Sequence, residues 1–317
     1  MAKYILKRIL IAIPLVLVIS ILCFMLMHAC PFDAVDAMIK PGMSEKAIEL
    51  MRAKYGYNKP AIVQYLAWLG GILKGNMGYS IVTKQSIALD LATRIPNTIK
   101  LVLPSYLTAY LLAIVLGLTA GAHKGKAADK IIDGLASIGI ATPTFWVAML
   151  LMYVFSSKLG LVPSIGMHTI GLEKSFADYM KHFILPYIVL VIGFTPDLVR
   201  YVRSSTITQY SEDYVMVQRA FGAGKREIMF RHVMKNVLLP VITKLGMALP
   251  MLITGAIITE TIFSWPGVGP YFVTAVSGLD YPIVMIILLF SSTLVILGSL
   301  LADILCCLTD PRIKDMG

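Results

Sequence analysis

Six stretches of this chain are each long and apolar enough to cross a lipid bilayer, and they limit what the rest can be. They lie at about 9–29, 101–122, 134–157, 184–203, 237–259 and 282–308. A bilayer core takes about 20 mostly apolar residues per helix, and lipid offers no partner to an unpaired backbone amide. Such stretches are therefore expected as helices. Composition agrees: 57% of the residues are hydrophobic and 15% charged, against about 25% charged in soluble domains. So much apolar surface cannot be hidden in one water-surrounded core, and it excludes disorder as well. The fourth stretch is the weakest, because Pro196, Asp197 and Arg200 interrupt it. Pro104, Pro143, Pro186, Pro240 and Pro250 also fall within or beside spans, which membrane helices tolerate where neighbours satisfy the freed groups.

The net charge is +10. In a membrane protein the positions of the cations matter more than their sum, so nucleic acid is not the expected partner. With the N-terminus inside, the inner segments 1–8, 123–133, 204–236 and 309–317 hold Lys3, Lys7, Arg8, Lys124, Lys126, Lys130, Arg219, Lys225, Arg226, Arg231, Lys235, Arg312 and Lys314. The short outer loops hold only Lys158, Lys174 and Lys181. This bias places both termini in the cytoplasm. The first apolar run, Ile9 to Met27, exceeds the roughly 7–15 residues of a signal-peptide core, and is expected as a retained membrane helix.

The expected architecture is an all-α integral membrane protein with six transmembrane helices. It divides into a first span (1–30), an extracytoplasmic helical segment (31–97), a five-helix core (98–308) containing a cytoplasmic loop at 204–236, and a cytoplasmic tail (309–317). Within the outer segment, Ser44 should cap a helix that Gly56 ends, with Glu45 suiting its dipole. After Asn58-Lys59-Pro60, AIVQYLAWLGGILKG reads as a second helix lying against the membrane. Cys23, Cys30, Cys306 and Cys307 form no spaced framework, so neither a disulfide nor a zinc site is expected.

No catalytic or nucleotide motif appears. A phosphate-binding loop needs G-x-x-x-x-G-K-[ST]; neither the run around Gly121 and Gly125 nor that around Gly222 and Gly224 fits it. The informative segment is the inner loop, residues 211–241, which is amphipathic and basic. Within it Arg219-Ala220-Phe221-Gly222-Ala223-Gly224-Lys225 forms a small-residue break between two helical stretches. A helix, a glycine corner and a second helix make a knob for a partner's groove, with Phe221 as apolar anchor. A basic helix resting on anionic lipid is the competing account.

This loop resembles the cytoplasmic coupling loop of ATP-binding-cassette importer permeases, in the dipeptide, oligopeptide and nickel branch (the oligopeptide permease B type). The matching residues are Asp213-Tyr214, Arg219-Ala220, Gly222, Phe230-Arg231-His232, Asn236 and Leu239-Pro240. Gln218-Arg219-Ala220 replaces the general family's Glu-Ala-Ala, and the gap to Leu239-Pro240 is longer, as in that branch. Further likenesses run along the chain: Tyr57-Asn58-Lys59-Pro60, Gly75-Asn76-Met77-Gly78, Thr142–Trp146, Gly160–Pro163, Glu260–Gly269 and Asp310-Pro311-Arg312. The resemblance implies half of a translocation path in a bacterial or archaeal cytoplasmic membrane. Its implied partners are a second homologous permease, one or two ATPase subunits that bind ATP and Mg, an extracytoplasmic solute-binding protein, and membrane lipid. It implies no catalysis and no cofactor in this chain.

Two acids invite a path or gating role. Glu260, at the outer end of the fifth span, either lines the path, grips the binding protein, or caps and holds in register the turn through Trp265-Pro266-Gly267. Asp197, deep in the fourth span, either contacts solute or pairs with Arg200 three residues on. Lys244 is expected to snorkel inward. His28, Cys30 and 18 methionines suit soft metals, but methionine is also ordinary apolar filler. Short peptides are the expected cargo, with nickel or a metal-chelator complex as the alternative. A stand-alone secondary transporter or channel is the remaining class; it would be marked by inverted repeats, and none stands out.

Overall fold

The computed structural model describes residues 2–29, 35, 39, 42–246 and 256–309. Cys30, the stretch 247–255 of the fifth expected span with Pro250, and the tail with Asp310, Pro311, Arg312 and Lys314 lie outside them. The described residues are helical, with no strand among them beyond an isolated bridge between Tyr79 and Ser86.

Helix α1 (Ala2–His28) is exposed along its apolar length at Leu10, Ile13, Leu15, Val18, Leu22 and Met25. Its buried edge meets the outer segment, where Ser20 Oγ lies 2.8 Å from Tyr65 Oη and Phe24 packs edge-on to Tyr65. The outer segment folds as its caps dictate. Ser44 Oγ accepts from the Ala47 amide at the start of α2 (Glu45–Tyr55), and Gly56 closes it at φ +81°. Helix α3 (Ala61–Leu73) follows. The segment is fastened by Asp280, whose carboxylate accepts from Ser80 Oγ and from the amides of Ile81 and Val82.

Helix α4 (Ile87–Ala122) begins well before the expected span at 101, because Ile87 and Leu91 bury themselves against later outer helices. Its main partner is α7 (Phe176–Tyr210). The two run parallel, with Leu101 clustered beside Leu190 and Gly117 and Gly121 beside Val202 and Thr206. Every fourth residue on the buried face of α4 is small: Ser105, Ala109, Ala113, Gly117 and Gly121. Small residues let helix backbones approach where lipid supplies no hydrophobic drive. A Cβ on Gly117 would sit 2.6 Å from Val202 Cβ, so that position requires glycine.

The third expected span, 134–157, is not one helix. It is broken into α5 (Ala127–Ala141) and α6 (Thr144–Lys158), which meet at 92°. Pro143 lacks an amide and pushes its predecessor out of the helical region, and Thr142 is extended at φ −90°, ψ 121°. Pro96, Pro104, Pro186 and Pro196 are all carried inside continuous helices.

After α7 come α8 (Asp213–Ala220) and α9, residues 225–246, whose Ile228–Val233 turn is π-helical. Helices α10 (Ile257–Ile262), α11 (Val268–Ser277) and α12 (Tyr281–Thr309) complete the chain. Among the described residues four helices, or five spans counting the bent pair, are long and apolar enough to cross a membrane.

Candidate coupling surface and path wall

The glycine corner forms as its sequence demands. Helix α8 ends where Gly222 turns left-handed at φ +84°. There the Gly222 amide donates to Arg219 O and the Ala223 amide to Gln218 O, at 3.0 Å each. These bonds satisfy the last carbonyls of the helix. Nothing lies within 4 Å of where a Gly222 Cβ would be, so the corner is open on its outer side. Phe221 is 84% exposed, and Met216, Val217 and Ala220 are exposed beside it. The inner side is anchored: Val215, Ile228, Val233 and Val237 are buried with Val199 and Val202 of α7. Tyr214 Oη donates to Gln209 Oε1 at 3.0 Å, and burial pushes the Tyr214 hydroxyl pKa up, which keeps the donor protonated. The knob is therefore packed onto the α4–α7 pair rather than hanging from it as a free loop.

Arg219, Lys225 and Arg226 line a cleft of about 430 Å³ together with His123, Lys124 and Lys126 from the turn after α4. Behind it, Arg203 of α7 clamps α5. Its Nε donates to Asp129 Oδ1 at 2.5 Å and its Nη2 to Asp129 Oδ2 at 3.1 Å, while the Gly125 amide donates to Asp129 Oδ2 at 2.8 Å. Sequence reasoning passed over Asp129. The available signal was a lone acid among Lys124, Lys126 and Lys130 at a helix start.

The second group lies on α7. Gly193, Asp197, Arg200, Ser204 and Thr208 are exposed at three- and four-residue steps, which forms one polar stripe down the helix. Asp197 is paired, but not with Arg200: Lys244 Nζ of α9 donates to Asp197 Oδ2 at 3.2 Å and lies 4.6 Å from the Tyr201 ring centroid. The local pairing expected from sequence is thus replaced by one between helices, made where α9 crosses α7. Tyr106, Tyr110 and Phe194 form an aromatic cluster at the same level.

Residues 113–315 match the family described as "Binding-protein-dependent transport system inner membrane component", and residues 1–102 match its N-terminal counterpart, "Binding-prot-dependent transport system membrane comp, N-term". The chain belongs to this family. It is 39% identical over 315 residues to the oligopeptide transport system permease protein AppB of Bacillus subtilis, covering 99% of this chain and 100% of that one. It is 35% identical over 317 residues to a putative peptide permease protein of Brucella ovis, covering 99% of each chain. Over 314 residues it is 32% identical to the glutathione transport system permease protein GsiC of Salmonella choleraesuis, again covering 99% of each. The protein is thus a multi-pass permease subunit of an ATP-binding-cassette importer in the cytoplasmic membrane, of a family whose members are transport components rather than catalysts.

In this permease Glu260 is 0% exposed. Its Oε2 accepts from the Gly269 amide at 2.7 Å, and Thr98 Oγ1 accepts from the Val268 amide at 2.9 Å. Trp265 Nε1 donates to Asn97 O, and Asn97 Nδ2 to Pro266 O. Glu260 therefore bonds within the turn, at Gly269, while Thr98 and Asn97 of α4 tie the Trp265–Gly269 turn to that helix, and the Glu260 side chain is buried rather than exposed. The neighbouring outer loop is held to the same turn by the Gly166 amide, which donates to Phe263 O at 2.8 Å. That loop is secured at Asp178, which accepts from the Thr169 amide and hydroxyl at 2.7 Å each. Sequence reasoning missed this tie, since Thr169 and Asp178 carry no motif.

Proposed function

We propose that this permease forms half of the translocation path for short peptides, as six spans with both termini in the cytoplasm. Support for the spans comes from the five apolar crossings described, with α9 and α10 as the two ends of a sixth. Support for the orientation comes from the cations gathered at Lys124–Lys130 and Arg219–Lys235. Peptide cargo is supported by the peptide and glutathione permeases among the relatives, which favour it over nickel or a metal chelator.

The observation that carries the reading is the knob, an exposed apolar tip on a buried foundation. Arg219, Ala220, Phe221, Gly222, Ala223, Gly224 and Lys225 insert into a groove on an ATPase subunit, and ATP with Mg is bound there, in the partner. A second homologous permease completes the path, and a solute-binding protein delivers cargo outside. Closing of the ATPases draws the knobs together, and each knob passes the movement to α7 through Val215, Ile228 and Val233. The path then alternates between inward-open and outward-open states. Asp197 lies on the path wall. Glu260 acts on gating indirectly, by keeping the outer turn in register.

Gly222→Trp tests the docking. The space around Gly222 is open, but any side chain at φ +84° strains the corner, so Gly222→Ala, which carries the same strain and leaves the tip clear, is the control for folding and insertion while the indole occupies the tip. Uptake should fall to background while the assembled protein stays in the membrane and any remaining ATP hydrolysis no longer responds to cargo. Wild-type uptake by this variant would refute docking through the corner.

A further inference from the structure

We infer that the Asp197–Lys244 pair is a recognition element for the two charged ends of a peptide in transit; this rests on the peptide reading above. Both residues sit in apolar helices, yet Asp197 has 72% and Lys244 36% of its side chain exposed. Ionised side chains at membrane depth are costly and face a bundle interior or water. The surroundings point to water or the second permease rather than lipid. Asp197 shares its face with Gly193 and Arg200 inside the span, beside exposed Ile192, and the face runs on to Ser204 and Thr208 in the inner segment, whereas the exposed side chains along the middle of α4 are Leu103, Leu107, Leu111, Leu112 and Val115. Lipid contact fits the second set and not the first.

An exposed ion pair in a wet wall is weakly held, so its members can exchange partners. A free peptide is a zwitterion that offers an ammonium and a carboxylate. With Asp197 and Lys244 3.2 Å apart and the ends of an extended tripeptide about 10 Å apart, the pair meets one end at a time: Asp197 accepts from the ammonium as that end passes, and Lys244 donates to the carboxylate as the other does. Tyr201, at 4.6 Å from Lys244 Nζ, holds the lysine over its ring when Asp197 is engaged elsewhere. Each end of the cargo thus finds a charged partner for its lost hydration in turn. When the cargo leaves, Asp197 and Lys244 close on each other again.

The test uses the complete importer with its binding protein in proteoliposomes, supplied with ATP and one tripeptide in three forms: free, N-acetylated and C-amidated. Each variant's uptake is divided by the wild-type uptake of the same form, which cancels selection by the binding protein. Lys244→Gln should depress the free and acetylated forms roughly tenfold more than the amide, the loss expected for one charge-assisted hydrogen bond. Asp197→Asn should do the reverse, sparing the acetylated form most. The paired exchange Asp197→Lys with Lys244→Asp retains the attraction and separates a folding defect from a recognition defect. Equal losses on all three forms in both single variants, with uptake restored by the exchange, would overturn the inference and leave a structural pair. Failure of the wild type to import any form would instead overturn the peptide reading itself.

Discussion

Helices α1 and α7 both run through the apolar depth of the protein, and each exposes one face, but the faces are opposite in chemistry. That of α1 is Leu10, Ile13, Leu15, Val18, Leu22 and Met25; that of α7 sets Gly193, Asp197 and Arg200 beside Ile184 and Ile192 and runs on to Ser204 and Thr208 in the inner segment. Exposure in a lone membrane subunit is therefore two different things. On α1 it marks a surface solvated by hydrocarbon. On α7 it marks one that hydrocarbon would penalise, and which water or a second subunit must cover. The knob is founded on α7 and not on α1, so the proposed docking element and the polar face share one helix.

The largest effect expected from this contrast is on insertion. Leu15→Asp places a carboxylate in hydrocarbon at a cost of about 3 kcal/mol, and the amount of membrane-integrated protein should drop sharply. Asp197→Leu should leave the integrated amount unchanged or raised while uptake collapses. If both variants insert alike and transport alike, the two faces do not differ as described. A smaller effect is expected on the buried side of α7. Gly117→Leu overfills the contact with Val202, and overpacking costs about 1–3 kcal/mol, read as a lower thermal midpoint in detergent. Smaller still is Asp129→Asn, which leaves Arg203 only the longer contact to Asp133 at 3.8 Å and costs about 1–2 kcal/mol. It should loosen α5 from α7, seen as faster amide exchange around Gly125 with helix α1 unaffected.

Local chemistry was legible in the sequence where the structure is local. Ser44 and Gly56 bound α2 as their capping preferences require, and Gly222 turns the corner of the inner loop. What depended on distant residues was not legible. Pro14, Pro96, Pro104, Pro186 and Pro196 lie inside helices, and Pro143 lies at the α5–α6 break. Pro143 alone breaks the chain sharply, and this goes with Pro196 packing on Gly139 and Gly193 on Thr144. Hydropathy averages over such a break, which is why 134–157 reads as one span. Asp197 pointed to Arg200 because that cation is near in sequence; Lys244 reaches it only through the crossing of α9. Glu260 could be weighed as a turn tie from Trp265-Pro266-Gly267, but its bond to Gly269 and the neighbouring Thr98–Val268 tie need the folded turn.

The account's central claim is that α7 presents a water-lined wall, and thiol accessibility tests it most directly. In a complete importer lacking native cysteines, Asp197→Cys and Arg200→Cys are compared with Leu15→Cys and Leu22→Cys for labelling by a membrane-impermeant maleimide, with and without ATP. The account predicts labelling at the two α7 positions, changing with nucleotide as the path alternates, and none at the two α1 positions. Protection of Asp197→Cys and Arg200→Cys in every nucleotide state, equal to that of the α1 pair, would contradict it.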